Sequence, residues 1–278
     1  MTLQENCHCK EAPIGIFDSG VGGLTVAREV MRALPNENLV YFGDTARLPY
    51  GSKSQDNIIR YARQIIRFLK TKKVKAIVIA CNTASALALE VVRNEINIPI
   101  IGVIESGARV AVATTQNKKV GVVATEATIR SEMYVKVMQA MEAKIEVIGK
   151  ACPLFVPLVE EGFAKHKVAD EIIDYYLAPM KAAELDTMIL GCTHYPLLRS
   201  SIKEYLGDGI TLINPAYETA MDLKKLLAEK ELLNNIAKEY KASYEFYVSD
   251  VADKFKELAN SIFPHDDSTI QEISIEEY

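Results

Sequence analysis

No run of apolar residues in the chain approaches the roughly 18 needed to cross a bilayer as a helix. No basic start followed by an apolar stretch lies between Met1 and Glu11. The first absence excludes a helical membrane span. The second argues against a secretory signal and leads to the expectation of a cytoplasmic protein. Cysteine is scarce: Cys7, Cys9, Cys81, Cys152 and Cys192 are the only five in 278 residues. An odd, sparse set in such a chain argues for free thiols rather than a disulfide framework. No pair has zinc-ribbon spacing; Cys7-His8-Cys9 reads as part of an exposed tail, with metal binding the minor alternative. Positive charge is not in excess either, since 32 Lys and Arg against 37 Asp and Glu leave a net charge of −5. The stretch His265 to Tyr278 holds Asp266, Asp267, Glu272, Glu276 and Glu277 and no Lys or Arg, which accounts for that whole excess. The remainder is near neutral, so nothing draws nucleic acid or an anionic membrane, and the acidic tail reads as a solvated end. No Gly/Ser/Pro-rich linker cuts the chain.

What is present is ordinary globular material, 49% apolar and 25% charged. That is enough for one large domain or two of about 130 residues each. Short β-branched runs alternate with helical patterns. Residues 14–17, 39–42, 75–80, 99–103, 120–123, 144–148, 187–190 and 210–213 read as strands, with 244–248 a late one and Asp250 capping a last helix. Between 54 and 70, Ile58, Ala62, Ile65, Ile66 and Leu69 keep the spacing of a helix face. Strands apolar on both faces belong to parallel sheets, so the pattern predicts an α/β fold with right-handed crossovers.

A faint repeat runs through the chain. Ile14-Gly15-Ile16-Phe17 corresponds to Val120-Gly121-Val122-Val123, and Ile77-Val78-Ile79-Ala80-Cys81-Asn82-Thr83 to Met188-Ile189-Leu190-Gly191-Cys192-Thr193-His194. Two matches in the same order suggest two related α/β halves; chance similarity of buried strands is the alternative. Cys81 and Cys192 then stand just past the carboxyl ends of equivalent strands, where open α/β sheets place ligands. Each precedes a helical pattern, and a helix N-terminus lowers a thiol's pKa. If the halves face each other, so do the thiols. Two opposed bases suit the movement of a proton from one face of a carbon to the other. The competing reading is two inert core thiols.

Other residues are more ambiguous. Asp18-Ser19-Gly20-Val21-Gly22-Gly23 follows the first strand, and its glycines permit close backbone approach. It fails as a dinucleotide fingerprint because Thr25 stands where the third glycine belongs. Asp18 reads as a polar group pointed into the cleft or as a helix N-cap. The loop Gly43 to Gly51 holds Asp44, Arg47, Pro49 and Tyr50; it could offer N–H groups to a carboxylate or be plain surface. His194 could assist Cys192 or simply pack. Glu160 and Glu161 would ordinarily be a solvated pair, and His8, His166 and His265 structural.

The segments Phe17–Leu24, Gly43–Gly51, Ala80–Ala86 and Leu190–Leu197 together resemble the glutamate racemases, in that family's order. The Cys-Asn-Thr and Cys-Thr segments are shared with aspartate racemases. His194 and the Pro49-Tyr50-Gly51 loop favour the glutamate branch, with an aspartate racemase or another two-thiol isomerase as the runner-up. The last third carries no signature.

The resemblance implies a cofactor-independent racemase, without metal or pyridoxal phosphate, that interconverts L- and D-glutamate and supplies the latter for peptidoglycan. It implies Cys81 and Cys192 as the proton donor/acceptors, assisted by Asp18 and His194, with Glu160 also in the site. Asp18, Ser19, Tyr50, Gly51, Asn82, Thr83, Thr193 and His194 would bind substrate. The implied fold is two pseudo-symmetric α/β domains facing across a cleft, residues 1–100 plus 214–278 and residues 101–213, in a homodimer. A binding protein for a small acid, with a cleft but no use for two thiols, is the alternative of another class.

Overall fold

The computed structural model describes residues 10–235, 242–250, 255–257, 259–260 and 270–278. Cys7-His8-Cys9, His265 and the acidic pair Asp266 and Asp267 lie outside the described residues. So does the start of the helix expected after Asp250.

Strands and helices alternate as the hydrophobic pattern requires. The first half runs β1 (Ile14–Asp18), α1 (Leu24–Ala33), β2 (Leu39–Gly43), α2 (Gln55–Thr71), β3 (Ala76–Ile79), α3 (Asn82–Leu87), α4 (Leu89–Arg93) and β4 (Ile100–Gly102). The second runs α5 (Val103–Thr114), β5 (Lys119–Ala124), α6 (Glu126–Arg130), α7 (Met133–Met141), β6 (Glu146–Ala151), α8 (Phe155–Glu160), α9 (Lys167–Ala182), β7 (Thr187–Gly191), α10 (Arg199–Leu206) and β8 (Thr211–Ile213). The chain then adds α11 (Pro215–Glu229), which packs on α1 and α5, followed by β9 (Tyr244–Val248) and β10 (Ile270–Glu272).

The strands form two parallel sheets, ordered β10-β9-β2-β1-β3-β4 and β6-β5-β7-β8. The core strands β1, β2, β3 and β7 are buried at every position, because helices cover both faces. Helix α2 shows how local sequence and packing agree. Ser54 caps it by accepting from Asn57 N, and Ile58, Ala62, Ile65, Ile66 and Leu69 all face the sheet. Among the described residues no helix is long and apolar enough to cross a membrane.

The repeat is architectural. The order β2-β1-β3-β4 in one sheet matches β6-β5-β7-β8 in the other. The registers agree as well: Gly15 pairs with Ile77 across β1 and β3, and Gly121 with Met188 across β5 and β7. The expected strands are found, 244–248 with the same bounds and the others with ends displaced by at most three residues. One strand was not expected: Ile270–Glu272 extends the first sheet beyond β9.

The C-terminal segment corrects the expectation of a solvated end. Ile275 is buried in the cluster that contains Tyr50 and Phe68. Tyr278 packs edge-on against Phe68 with ring centroids 5.3 Å apart, and its carbonyl accepts from Arg67 Nε. Two isoleucines two positions apart, Ile273 and Ile275, give this acidic stretch an apolar side that α2 covers.

Candidate active site

The carboxyl ends of β1, β3, β5 and β7 converge on one cavity between the two sheets. Cys81 and Cys192 both line it, along with Ser19, Tyr50, Gly51, Asn82, Thr83, Thr193 and His194. Leu48, Pro49, Thr125 and Val156 complete the wall. Superposing the halves through their shared register pairs Cys81 with Cys192, Asn82 with Thr193, Thr83 with His194, and Ser19 with Thr125. Thr125 is the residue sequence reasoning missed although the repeat pointed to it. It caps α6 and its hydroxyl lies 2.8 Å from that of Thr83 in the other half. This cavity is about 20 Å³, room for a water or two. A second cavity of about 310 Å³ adjoins it, sharing Leu48, Pro49, Gly51, Thr125 and Val156 and reaching Pro153, Pro157 and Glu160.

The two sulfurs stand in different surroundings. Cys81 caps α3, accepting from Ala84 N at 3.5 Å. Its thiol is nevertheless pushed up to about 12, by burial first and by the negative charge of Asp18 second. This overturns the expectation that a helix N-terminus would lower it. A helix of six residues supplies a weak field, and desolvation of a thiolate outweighs it. Cys192 is followed by a short 3₁₀ turn, Tyr195–Leu198, rather than directly by an α-helix. What stands beside it is His194, whose Nδ1 lies 3.8 Å from the sulfur. His194 Nε2 is 3.0 Å from Glu160 Oε1. Burial alone would lower the imidazole, but its hydrogen bonds and attraction to Cys192 and Glu160 raise it to about 10. The imidazole is therefore positively charged at neutral pH, next to Cys192. Glu160 gets its place from the end of α8, where Gly162 turns the chain with φ +77° just beyond it.

Asp18 does not line the cavity. Its Oδ2 accepts from Gly20 N and Gly23 N, both at 3.0 Å, so it holds the turn into α1. Its Oδ1 accepts from Thr193 Oγ1 at 3.4 Å, reaching across to the other half. Burial raises its pKa, opposed by His194 and these hydrogen bonds. Neither earlier reading of Asp18 describes this: it is not in the cavity wall, and the N-cap of α1 is Gly23, whose N–H it accepts, while its charge acts on Cys81. Of the neighbouring glycines, Gly22 serves the meeting of the halves. A Cβ at Gly22 would overlap Thr193 Oγ1 and come within 2.7 Å of His194 Nδ1.

The loop after β2 carries Tyr50 and Gly51 to the wall, and it is held rather than loose. Tyr50 Oη donates to Asp44, which also accepts from Arg47 Nε and from Ser249 Oγ. Arg47 lies over the Tyr61 ring at 4.1 Å and donates to Gln64. Gln64 in turn donates to Glu276 of the C-terminal segment at 3.2 Å. The Leu48–Pro49 peptide is cis. Asn82 meets Tyr134 of the second half. Cys152, the residue after β6, is buried outside the cavity lining. His166 caps α9, in keeping with its structural reading. Among the described residues, no three His, Cys, Asp or Glu side chains converge as metal ligands.

Comparison with known proteins places this geometry. Residues 16–222 match the family model described as Asp/Glu/Hydantoin racemase. The chain is 45% identical to a glutamate racemase of Geobacter metallireducens over 95% of its own length and 97% of that protein. It is 49% identical to one of Chlorobaculum tepidum, over 89% of this chain and 91% of the relative. Among solved structures, the glutamate racemase of Francisella tularensis in complex with D-glutamate superposes with a TM-score of 0.90. It shares 38% identity, covering 97% of this chain and all of the other.

Proposed function

The chain belongs to the Asp/Glu/hydantoin racemase family, and from that premise we infer that it interconverts L- and D-glutamate using Cys81 and Cys192 as two bases. The observation that carries the assignment is one cavity holding two thiols at matched positions of two matched half-sites. One thiolate takes the α-hydrogen from one face; the opposite thiol delivers its own hydrogen to the other face. The first cysteine ends as the thiol and the second as the thiolate, so protons balance without a cofactor. Cys81, held up to about 12, waits as the thiol. The imidazolium of His194 offsets negative charge on the Cys192 sulfur. That pairing suits Cys192 to remove the proton, which by kinship is the L-to-D direction.

The α-hydrogen of an amino acid is weakly acidic, so developing negative charge must be stabilised by fixed donors. Asn82, Thr83, Thr193 and Ser19 supply hydroxyl and amide donors on the wall for the substrate carboxylates. Asp18 stands behind Cys81 and steers its proton. A space of about 20 Å³ beside the thiols is too small for glutamate, so the lobes, residues 1–100 plus 214–278 and residues 101–213, part to admit it and close again to exclude water. The product serves peptidoglycan synthesis in the cytoplasm, and the protein works as a homodimer.

The test is racemisation followed by circular dichroism on L- and D-glutamate, with aspartate and other amino acids alongside, after dialysis against a chelator. Run in D₂O from L-glutamate, early D-glutamate should carry deuterium while residual L-glutamate stays protiated, because the accepting and donating thiols differ. Cys81→Ala and Cys192→Ala should each abolish turnover. An active single-cysteine variant, deuterium in recovered substrate at low conversion, or activity restored only by a metal or pyridoxal phosphate would refute the mechanism. Preference for aspartate would move the chain to the runner-up reading. Binding of glutamate with no turnover would favour a binding protein.

A further inference from the structure

Tyr134 touches the neighbours of both thiols. It sits on α7 in the second half, 3% exposed, and its hydroxyl donates to Asn82 Oδ1 at 2.7 Å. Asn82 follows Cys81 directly. On its other side the Tyr134 ring lies against Gly191, which precedes Cys192; a Cβ there would come 3.2 Å from Tyr134 Cε2. Gly107 of α5 leaves room beside the hydroxyl, where a Cβ would stand 3.6 Å away.

The hydrogen bond fixes which end of the Asn82 amide faces the cavity. Burial raises the Tyr134 phenol, so the hydroxyl keeps its proton. Among the described residues Asn82 Oδ1 is its acceptor. Turning the amide over would leave a buried O–H without an acceptor, and such a group is costly. With Oδ1 occupied by the phenol, the amide's two N–H donors are the part left to meet a ligand. A carboxylate accepts and cannot donate, so this orientation suits it and the reverse would repel it.

We infer that Tyr134 is a positioning residue. It holds the Asn82 amide with its N–H groups toward the substrate carboxylate, and it ties that donor in register with the strand end that bears Cys192. The inference rests on reading the cavity as the glutamate site.

The experiment compares wild type, Tyr134→Phe, Asn82→Ala and the double variant, with KM and kcat measured in both directions. Tyr134→Phe keeps the ring and removes only the hydroxyl. It should raise KM for both enantiomers about tenfold and change kcat less. In the Asn82→Ala background the same substitution should leave KM unmoved, because it acts through the amide. A loss of packing alone would lower the melting temperature in both backgrounds and spare the KM difference between them. Should Tyr134→Phe not fold, Asn82→Asp, which keeps an acceptor for the phenol and removes both N–H donors, should raise KM at least tenfold for both enantiomers, and an unchanged KM there overturns the inference. An unchanged KM in Tyr134→Phe, or an equal rise in both backgrounds, overturns the inference while leaving the racemase reading intact. Absence of wild-type turnover on glutamate would remove both.

Discussion

Replacing Glu160 by Gln would expose how the charge on His194 is maintained. The substitution preserves shape and an acceptor oxygen 3.0 Å from Nε2 but removes the negative charge. A hydrogen bond to a charged group stabilises by about 1.5–3 kcal/mol, a neutral one by about 0.5–1.5. At 1.36 kcal/mol per pKa unit, the difference lowers the imidazole by roughly one unit. The Glu160 side chain is 21% exposed, so solvent screens part of its field and holds the effect toward that lower end. His194 should therefore titrate about one unit below its native value of about 10, still above an ordinary histidine because Cys192 remains beside it. The chain has four histidines, so imidazole resonances from labelled protein, followed from pH 6 to 11, resolve the site once His194→Asn identifies the signal. The alkaline limb of kcat in the direction that uses Cys192 as base should move down by the same amount. Glu161→Gln, one residue further along, is the control and should move neither. A native His194 titrating near 6.5, or an unaltered titration in Glu160→Gln, would refute the reasoning.

Three further outcomes follow from the same structure. Folded His194 keeps its proton up to about pH 10 while an unfolded histidine loses it near 6.5; its stabilising contribution is full below 6.5 and is lost as pH rises to 10. Melting temperatures should accordingly fall between pH 7 and 10, and His194→Asn should flatten that slope; an equal slope in the variant would contradict it. Gly22→Ala should cut turnover by at least tenfold with the fold retained by circular dichroism, because its methyl displaces Thr193 and His194; wild-type rates would show that the halves do not meet there. Deleting residues 273–278 removes the buried Ile275, worth about 1.5–3 kcal/mol. That should lower the melting temperature by roughly 3–10 °C, read by calorimetry. The ion pair of Arg47 with Glu276 adds little to this loss, since Glu276 is 73% exposed.

The sequence made the alternation of elements legible because all-apolar β-branched runs have few other homes. Gly15, Gly121 and the two cysteines even disclosed the repeat whose sheet order and register now agree. What it hid were matters of environment. Cys81 shows its helix N-terminus in the sequence but not its burial, and burial decides its proton. Ile270–Glu272 is too short and polar to read as a strand, and only the exposed side of β9 explains it. Tyr134 resembles any core tyrosine on a helix; its partner Asn82 lies 52 positions away and in the other half. Asp18 was ambiguous for a physical reason, since one oxygen closes a local turn while the other crosses the interface.

The repeat stops short of the partners of the two thiols: Asp18 stands behind one, His194 and Glu160 behind the other, and the position matching Asp18 is Ala124. Glutamate's two mirror forms have equal free energy in water, so no arrangement of a protein can tilt their equilibrium away from one to one. Second-order efficiency must then be identical in the two directions, however unlike the two half-sites are. If the two sulfurs are the bases, the unlikeness acts on single states of the cycle, by making one bound enantiomer or one arrangement of the two thiol protons more stable than the other. The broken symmetry thus divides each direction differently between saturation and turnover, and leaves the thermodynamic destination untouched.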